Sequence, residues 1–163
     1  PCPCRTRSEL AACRSRYKPC AALCILRPMS AETEPIRVCA VVFRDTRGRV
    51  LSVRKRGTIR FMLPGGKPGP GETPRETAVR EVREEIGTLI DASSLAPLAT
   101  FLAPAANEAG RDVEGTIFTC EEPINPQPAA EIEEIAWVDP RNPAEADVDL
   151  APLLETKVFP ALG

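Results

Sequence analysis

The 23 residues from Gly66 to Thr88 constrain this chain more than any other stretch. They start in a glycine turn, Pro64-Gly65-Gly66, and run into a segment with complete helix signals. Thr73 can cap the helix, Pro74 suits its first position, and Glu76 completes a Thr-x-x-Glu capping box. Gly87 supplies the stop. Ala78, Val79, Val82 and Ile86 recur at helical spacing and form an apolar stripe. Beside it, Glu81, Glu84 and Glu85 share one arc of roughly 100°. Carboxylates gathered near the negative end of a helix repel one another and oppose its dipole. Two readings fit that arrangement. One is a solvated acidic face. The other is a site for a hard divalent cation, which takes oxygen ligands. Spacing alone leaves both open.

Around this segment the pattern is that of a mixed α/β domain. Residues 36–43 (IRVCAVVF) form an apolar, β-branched run that reads as a buried strand. Asp45-Thr46-Arg47-Gly48 is a turn, after which residues 50–53 are expected to pair back as a second strand. Phe61-Met62-Leu63 is a short apolar piece. Residues 95–102, 113–120 and 133–138 are expected strands, with Gly115 read as a bulge. Residues 103–112 and 121–130 read as loops. Residues 147–159 are expected to form a helix interrupted near Pro152. The element order predicts a sheet of parallel and antiparallel pairs between helices. No internal repeat is visible.

Charge divides the chain unevenly. Residues 1–28 carry a net +5 and five of the seven cysteines, while the remaining 135 residues carry a net −7. Four readings compete for this head. A zinc site could use Cys2, Cys4, Cys13, Cys20 and Cys24, but the spacing is loose. A disulfide framework usually has an even cysteine count. A transit peptide is Arg-rich but also Ser-rich, and the head has only Ser8 and Ser15. The favoured reading is translated upstream DNA from a GC-rich source, with the native start at Met29. Residues 1–34 are accordingly expected to be disordered or a non-native extension, with the folded domain over 35–163.

Composition removes several function classes. The net charge of −2 argues against a nucleic-acid partner. No apolar run approaches the ~18 residues a membrane span needs. Histidine is absent, which excludes a Ser-His-Asp or Cys-His triad and any His-ligated metal. Carboxylates are left as the acid, base and metal groups.

Written out, the central stretch is Gly66, five residues, Glu72, seven residues, then Arg80-Glu81-Val82-Arg83-Glu84-Glu85-Ile86-Gly87-Thr88. It resembles the Nudix box, Gly-x5-Glu-x7-Arg-Glu-aliphatic-x-Glu-Glu-x-Gly-aliphatic. All seven fixed residues match, and only Thr88 departs, with Leu89 following at once. By composition a chance match is on the order of one in a million. The Leu63-Pro64-Gly65-Gly66-Lys67 lead-in is similar too. The resemblance implies an α/β/α sandwich and a divalent-cation-dependent hydrolase of nucleoside diphosphate derivatives. It implies that Glu81, Glu84 and Glu85 are catalytic and hold Mg²⁺ or Mn²⁺, with the Gly65 carbonyl completing a metal shell. Gly66, Glu72, Arg80 and Gly87 are carried over as structural residues of the motif. Similar enzymes place a further acid shortly before the Trp of the last strand. Glu131 is the candidate here, as metal ligand or general base, with Glu133 and Glu134 behind it.

Arg54, Lys55, Arg56, Arg60 and Lys67 lie before and inside the glycine loop. Arg54, Arg56 and Lys67 are the candidates for substrate phosphate, against the reading of an ordinary basic loop. Trp137 and Phe101 read as core rather than base-stacking platforms. Cys39 and Cys120 read as small buried hydrophobes. Asn107 and Asp112 sit in a loop where related enzymes select substrate. Pro104 lies where members acting on ADP-ribose carry a proline. The compact body resembles MutT-type nucleoside triphosphate pyrophosphohydrolases. ADP-ribose or another dinucleotide or nucleotide sugar is the alternative substrate, and a non-enzymatic nucleotide-sensing module is the alternative class. The expected setting is cytoplasmic, with a nucleotide-type small molecule as partner, no nucleic acid or membrane, and a homodimer left open.

Overall fold

β1 (Ile36–Phe43) is buried along five successive residues at its C-terminal half, so both of its faces must be covered. The computed structural model describes residues 34–163, and the basic, cysteine-rich head lies outside them. β1 alternates between two cores. Cys39, Val41 and Phe43 face one; Ala40 and Val42 face the other.

The remaining strands are β2 (Val50–Lys55), β3 (Phe61–Met62), β4 (Gly65–Gly66), β5 (Ala96–Pro104), β6 (Asp112–Cys120) and β7 (Ile132–Val138). They form two sheets rather than one. The first has the order β4-β1-β6-β5 and mixes a parallel β1–β6 pair with antiparallel neighbours. The second, β3-β2-β7, is antiparallel throughout. The expected β1–β2 hairpin is reduced to a single bridge between Arg44 and Val50. β6 and β4 occupy the two edges of β1, so β2 finds its partner in β7 instead. The turn itself forms: Asp45 accepts from the backbone N–H of Arg47 and Arg49, and Gly48 takes a left-handed φ of 80°.

α1 (Pro74–Ile86) runs between its cap and stop as the local chemistry dictates. The Thr73 hydroxyl accepts from Glu76 N–H, the Glu76 carboxylate accepts from Thr73 N–H, and Gly87 closes the end with φ 64°. Ala78, Val82 and Ile86 are fully buried against Cys39, Val41, Phe43, Leu51 and Val53. Burial of a Val or Ile is worth roughly 1.5–3 kcal/mol each. The opposite core packs Leu154, Val158 and Phe159 under Ala40, Val42, Val50, Ile117 and Val138. The strands thus lie between α1 and a C-terminal helical segment.

That segment begins near Pro152 instead of being broken by it. It contains a π-helical turn, Leu154–Val158, and ends in α2 (Phe159–Ala161). Proline lacks a donor that the first helical turn does not need, so it starts a helix where it would break one in mid-course. Gly115 is not a bulge: it pairs in register with Val38 and Phe101, and the irregularity lies between Pro97 and Ala99. A Cβ at Gly115 would come within 2.7 Å of Leu153 Cδ2, so the glycine admits the C-terminal segment. Among the described residues no helix is long and apolar enough to cross a membrane.

Candidate active site

Every residue of the glycine turn is placed by a partner from α1 or β1. Gly65 and Gly66 pair with Ala40 and Cys39 across the edge of β1. A Cβ on Gly65 would strike the Cys39 carbonyl, and one on Gly66 would strike the Glu81 carboxylate. Glu85 reaches the same turn: its Oε2 accepts from Gly65 N–H at 2.9 Å.

A second set of bonds fixes the loop between turn and helix. Arg80 Nε and Nη2 grip the two oxygens of Glu72 at 2.7 and 3.0 Å. Glu72 Oε2 also accepts from Gly69 N–H and the Thr77 hydroxyl. The Arg80 side-chain bonds hold the Glu72 carboxyl far below its ordinary 4.5, at about 2. Arg80 reaches Lys67 O as well, and its Nη1 bonds Glu81 Oε1 at 2.8 Å and Glu84 Oε2 at 3.0 Å.

The three helix carboxylates therefore differ in setting. Glu85 is 1% exposed, Glu81 is largely buried in the cleft, and Glu84 has a half-exposed side chain. Among the described residues no three acidic or cysteine side chains converge as a ready metal cluster. The expected joint presentation of three carboxylates is thus not what the structure contains, because cations of the chain itself divide them. Arg80 takes Glu81 and Glu84. The Lys55 ammonium lies 2.9 Å from Glu85 Oε1 and also contacts Glu131. Glu85 is buried, and the Lys55 ammonium is the cation that faces its Oε1. Burial pushes the Glu85 carboxyl up, against the pull of Lys55 and Gly65 N–H. Burial pulls the Lys55 ammonium down, and Glu85 and Glu131 more than reverse it.

Glu131 arrives beside Glu85 through the loop after β6. Gln127 N–H and Ala129 N–H donate to the carbonyls of Ile86 and Glu85, satisfying the open end of α1. Ala130 takes a left-handed φ of 47°, and Arg56 N–H holds the Glu131 carbonyl at 2.8 Å. Strand alternation decides which basic residue joins them: Lys55 shares the α1-facing side of β2 with Leu51 and Val53, and Arg54 takes the other. Arg54 pairs with Glu134 but Lys55 with Ile132, leaving Glu133 as an extra residue on β7. Arg54 is spent outside the cleft on Glu133, Glu134 and the Thr58 carbonyl.

These groups open onto a cavity of about 460 Å³. Lys55, Gly65, Gly66, Lys67, Arg80, Glu81 and Glu131 line its polar end. Ile36, Val38, Met62, Val113 and Leu153 are among the side chains of its apolar end, with Pro104 and Asn107 at the loop. Of the residues expected to meet substrate, Lys67 lines the cavity; Arg54 and Arg56 do not, and Lys55 takes that position. Glu84 and Asp112 also lie off the wall. The packing of α1 on the Lys55 face of β2 leaves no signal in the local sequence. The C-terminal wall, Ala151 to Leu154, was missed for a similar reason. It is brought in by Phe61 pairing with Asp149 and Ala151. Cys39 and Cys120 are buried free thiols, and Trp137 and Phe101 pack against the two cores.

The NUDIX domain family model matches residues 33–156. The chain belongs to the Nudix family. Its class follows: a hydrolase acting on pyrophosphate bonds. No curated protein matches significantly. Among solved structures, a MutT protein from Methanosarcina mazei Go1 is 21% identical with a TM-score of 0.64, covering 82% of this chain and 96% of that one. A nudix hydrolase family member from Chromobacterium violaceum is 28% identical with a TM-score of 0.56, covering 72% and 70%. A MutT/nudix family protein from Enterococcus faecalis is 20% identical with a TM-score of 0.55. That match covers 65% of this chain, which spans only 44% of the Enterococcus protein.

Proposed function

We propose that this Nudix domain is a MutT-like nucleoside triphosphate pyrophosphohydrolase that releases a nucleoside monophosphate and pyrophosphate. The observation that carries the reading is the cavity of about 460 Å³, apolar at one end and bordered by Gly65, Gly66, Glu81 and Lys67 at the other. One nucleoside fits the apolar end while its phosphates lie along the polar end.

Nudix hydrolases generally need a divalent metal ion. The donor set here suits Mg²⁺ or Mn²⁺. Glu81, Glu85, Glu131 and the Gly65 carbonyl offer hard oxygens around the turn, and the buried Glu85 carboxylate already draws a cation, Lys55. Glu81, Glu84, Glu85 and the Gly65 carbonyl would hold the ion. The ion supplies neutralisation of phosphate charge and a lowered pKa for water.

The residues of the chain supply the rest. Lys67 binds substrate phosphate, and the Glu72–Arg80 pair keeps its loop in register with α1. Water attacks a phosphorus of the triphosphate, and a Glu131 carboxylate oxygen takes the proton. The bridging P–O bond between the α- and β-phosphoryl groups breaks, and the bridging oxygen departs with the leaving phosphate and takes the electron pair. No histidine competes for the role of base.

Pro104 in the cavity wall favours a second reading, hydrolysis of ADP-ribose. A panel of nucleotides incubated with Mg²⁺ and separated by chromatography distinguishes the cases. Monophosphate plus pyrophosphate from a nucleoside triphosphate is expected. AMP plus ribose 5-phosphate from ADP-ribose would install the second reading, and a panel left intact would indicate a sensing module.

A further inference from the structure

Lys55 lies between two carboxylates of the acidic cleft, and its position follows from the fold. Strand alternation puts Lys55 on the face of β2 that carries Leu51 and Val53 towards α1, while its neighbour Arg54 goes to the opposite side. Its side chain is 23% exposed, and it contacts Glu85, whose side chain is 2% exposed, together with Glu131 from a different element. The Lys55 ammonium lies 2.9 Å from Glu85 Oε1, so one cation serves two carboxylates from two elements. A buried carboxylate without a counter-charge is costly, so a cation has to stand there whenever no metal ion does. Lys55 is partly exposed and shared between the two carboxylates, so its ammonium can exchange for another cation.

We propose that Lys55 is a displaceable counter-cation. It neutralises Glu85 and Glu131 while the divalent ion is absent, yields them when the ion binds, and then pairs with the substrate's diphosphate. This rests on the metal assignment proposed above. The exchange conserves charge balance in the cleft at each stage. Carboxylates meet an ammonium first and a divalent ion second, and the freed ammonium meets the phosphate oxygens that arrive with the substrate. Lys55 lines the same cavity as Gly65, Glu81 and Lys67, so it need not leave the cleft to change partners. Once Lys55 has left it, Glu131 is free to accept a proton.

The test uses the full chain and two variants, Lys55→Met and Lys55→Arg. Mn²⁺ is titrated by electron paramagnetic resonance of the free ion. Because it removes a competitor for the carboxylates, Lys55→Met is expected to bind Mn²⁺ about tenfold more tightly than the wild type, a change of about 1.4 kcal/mol. Its metal-free melting temperature falls, and it gains more on Mn²⁺ addition than the wild type does. Lys55→Arg keeps the charge and stays near wild type in Mn²⁺ affinity. Inorganic pyrophosphate is then titrated calorimetrically into the Mn²⁺-saturated proteins. It is expected to bind Lys55→Met about tenfold more weakly than wild type, and Lys55→Arg within about threefold. Equal or weaker Mn²⁺ binding by Lys55→Met, or unchanged pyrophosphate binding, overturns the proposal while wild-type Mn²⁺ binding leaves the metal site standing. A wild type that binds no Mn²⁺, or binds it equally after Glu85→Gln, overturns both.

Discussion

Glu131 and Glu133 are two residues apart, yet they serve different cations. Glu131 contacts Lys55 in the cleft, and Glu133 contacts Arg54 outside it. Glu131→Gln should therefore cut kcat at least about tenfold, equivalent to about 1.4 kcal/mol of barrier. Glu133→Gln should leave kcat within about twofold, because it loosens only a half-exposed ion pair worth up to about 1 kcal/mol of stability. Steady-state rates for the two variants decide the matter, and equal small effects would remove Glu131 from the mechanism. Arg54→Gln is expected to leave KM within about twofold as well. That expectation reverses the one drawn from sequence. Side-by-side basic residues on a strand point to opposite faces, and which face is the cleft depends on where α1 packs with Glu85, a tertiary matter. Glu81, Glu84 and Glu85 were legible as one arc from spacing alone. Their division into buried, cleft-lining and half-exposed members was not, since it depends on Arg80 and Lys55.

The glycine loop and α1 behave as one element because Glu72 and Arg80 join them. The folded-state value of about 2 for Glu72 lies below its ordinary 4.5, so the carboxylate stabilises the fold fully above pH 4.5. That contribution is lost as pH falls from about 4.5 towards 2. Thermal melts across this window should show a declining melting temperature for the wild type and a shallower decline for Glu72→Gln. Parallel declines would mean that the pair carries no pH-linked stability. α1 was readable to the residue because its cap, box and stop are local chemistry. β4 was not. Two glycines have no strand propensity, and they pair only because β1 offers Cys39 and Ala40 an exposed edge. Pro152 was misjudged as an interruption because its meaning depends on where the helix begins, a tertiary matter set by Phe61 and Ala151.

At the scale of the whole molecule, the two cores on either side of the central strands hold most of the buried apolar residues of 36–159. The family match begins at residue 33. We propose that 35–163 is the folding unit, and that deleting residues 1–28 changes the melting temperature by less than about 2 °C. A drop of several degrees, or zinc in the full chain, would give the head a structural role. The central claim is that pyrophosphate hydrolysis is carried out at the Gly65–Gly66 turn with Glu85 as its buried carboxylate. Its most direct test is Mg²⁺-dependent pyrophosphate release from a deoxynucleoside triphosphate panel by wild type and Glu85→Gln, both checked for folding. The account predicts activity that chelation abolishes, and a kcat lowered at least about a hundredfold in Glu85→Gln, near 2.7 kcal/mol, with KM changed far less. A Glu85→Gln enzyme with near-normal kcat would contradict it.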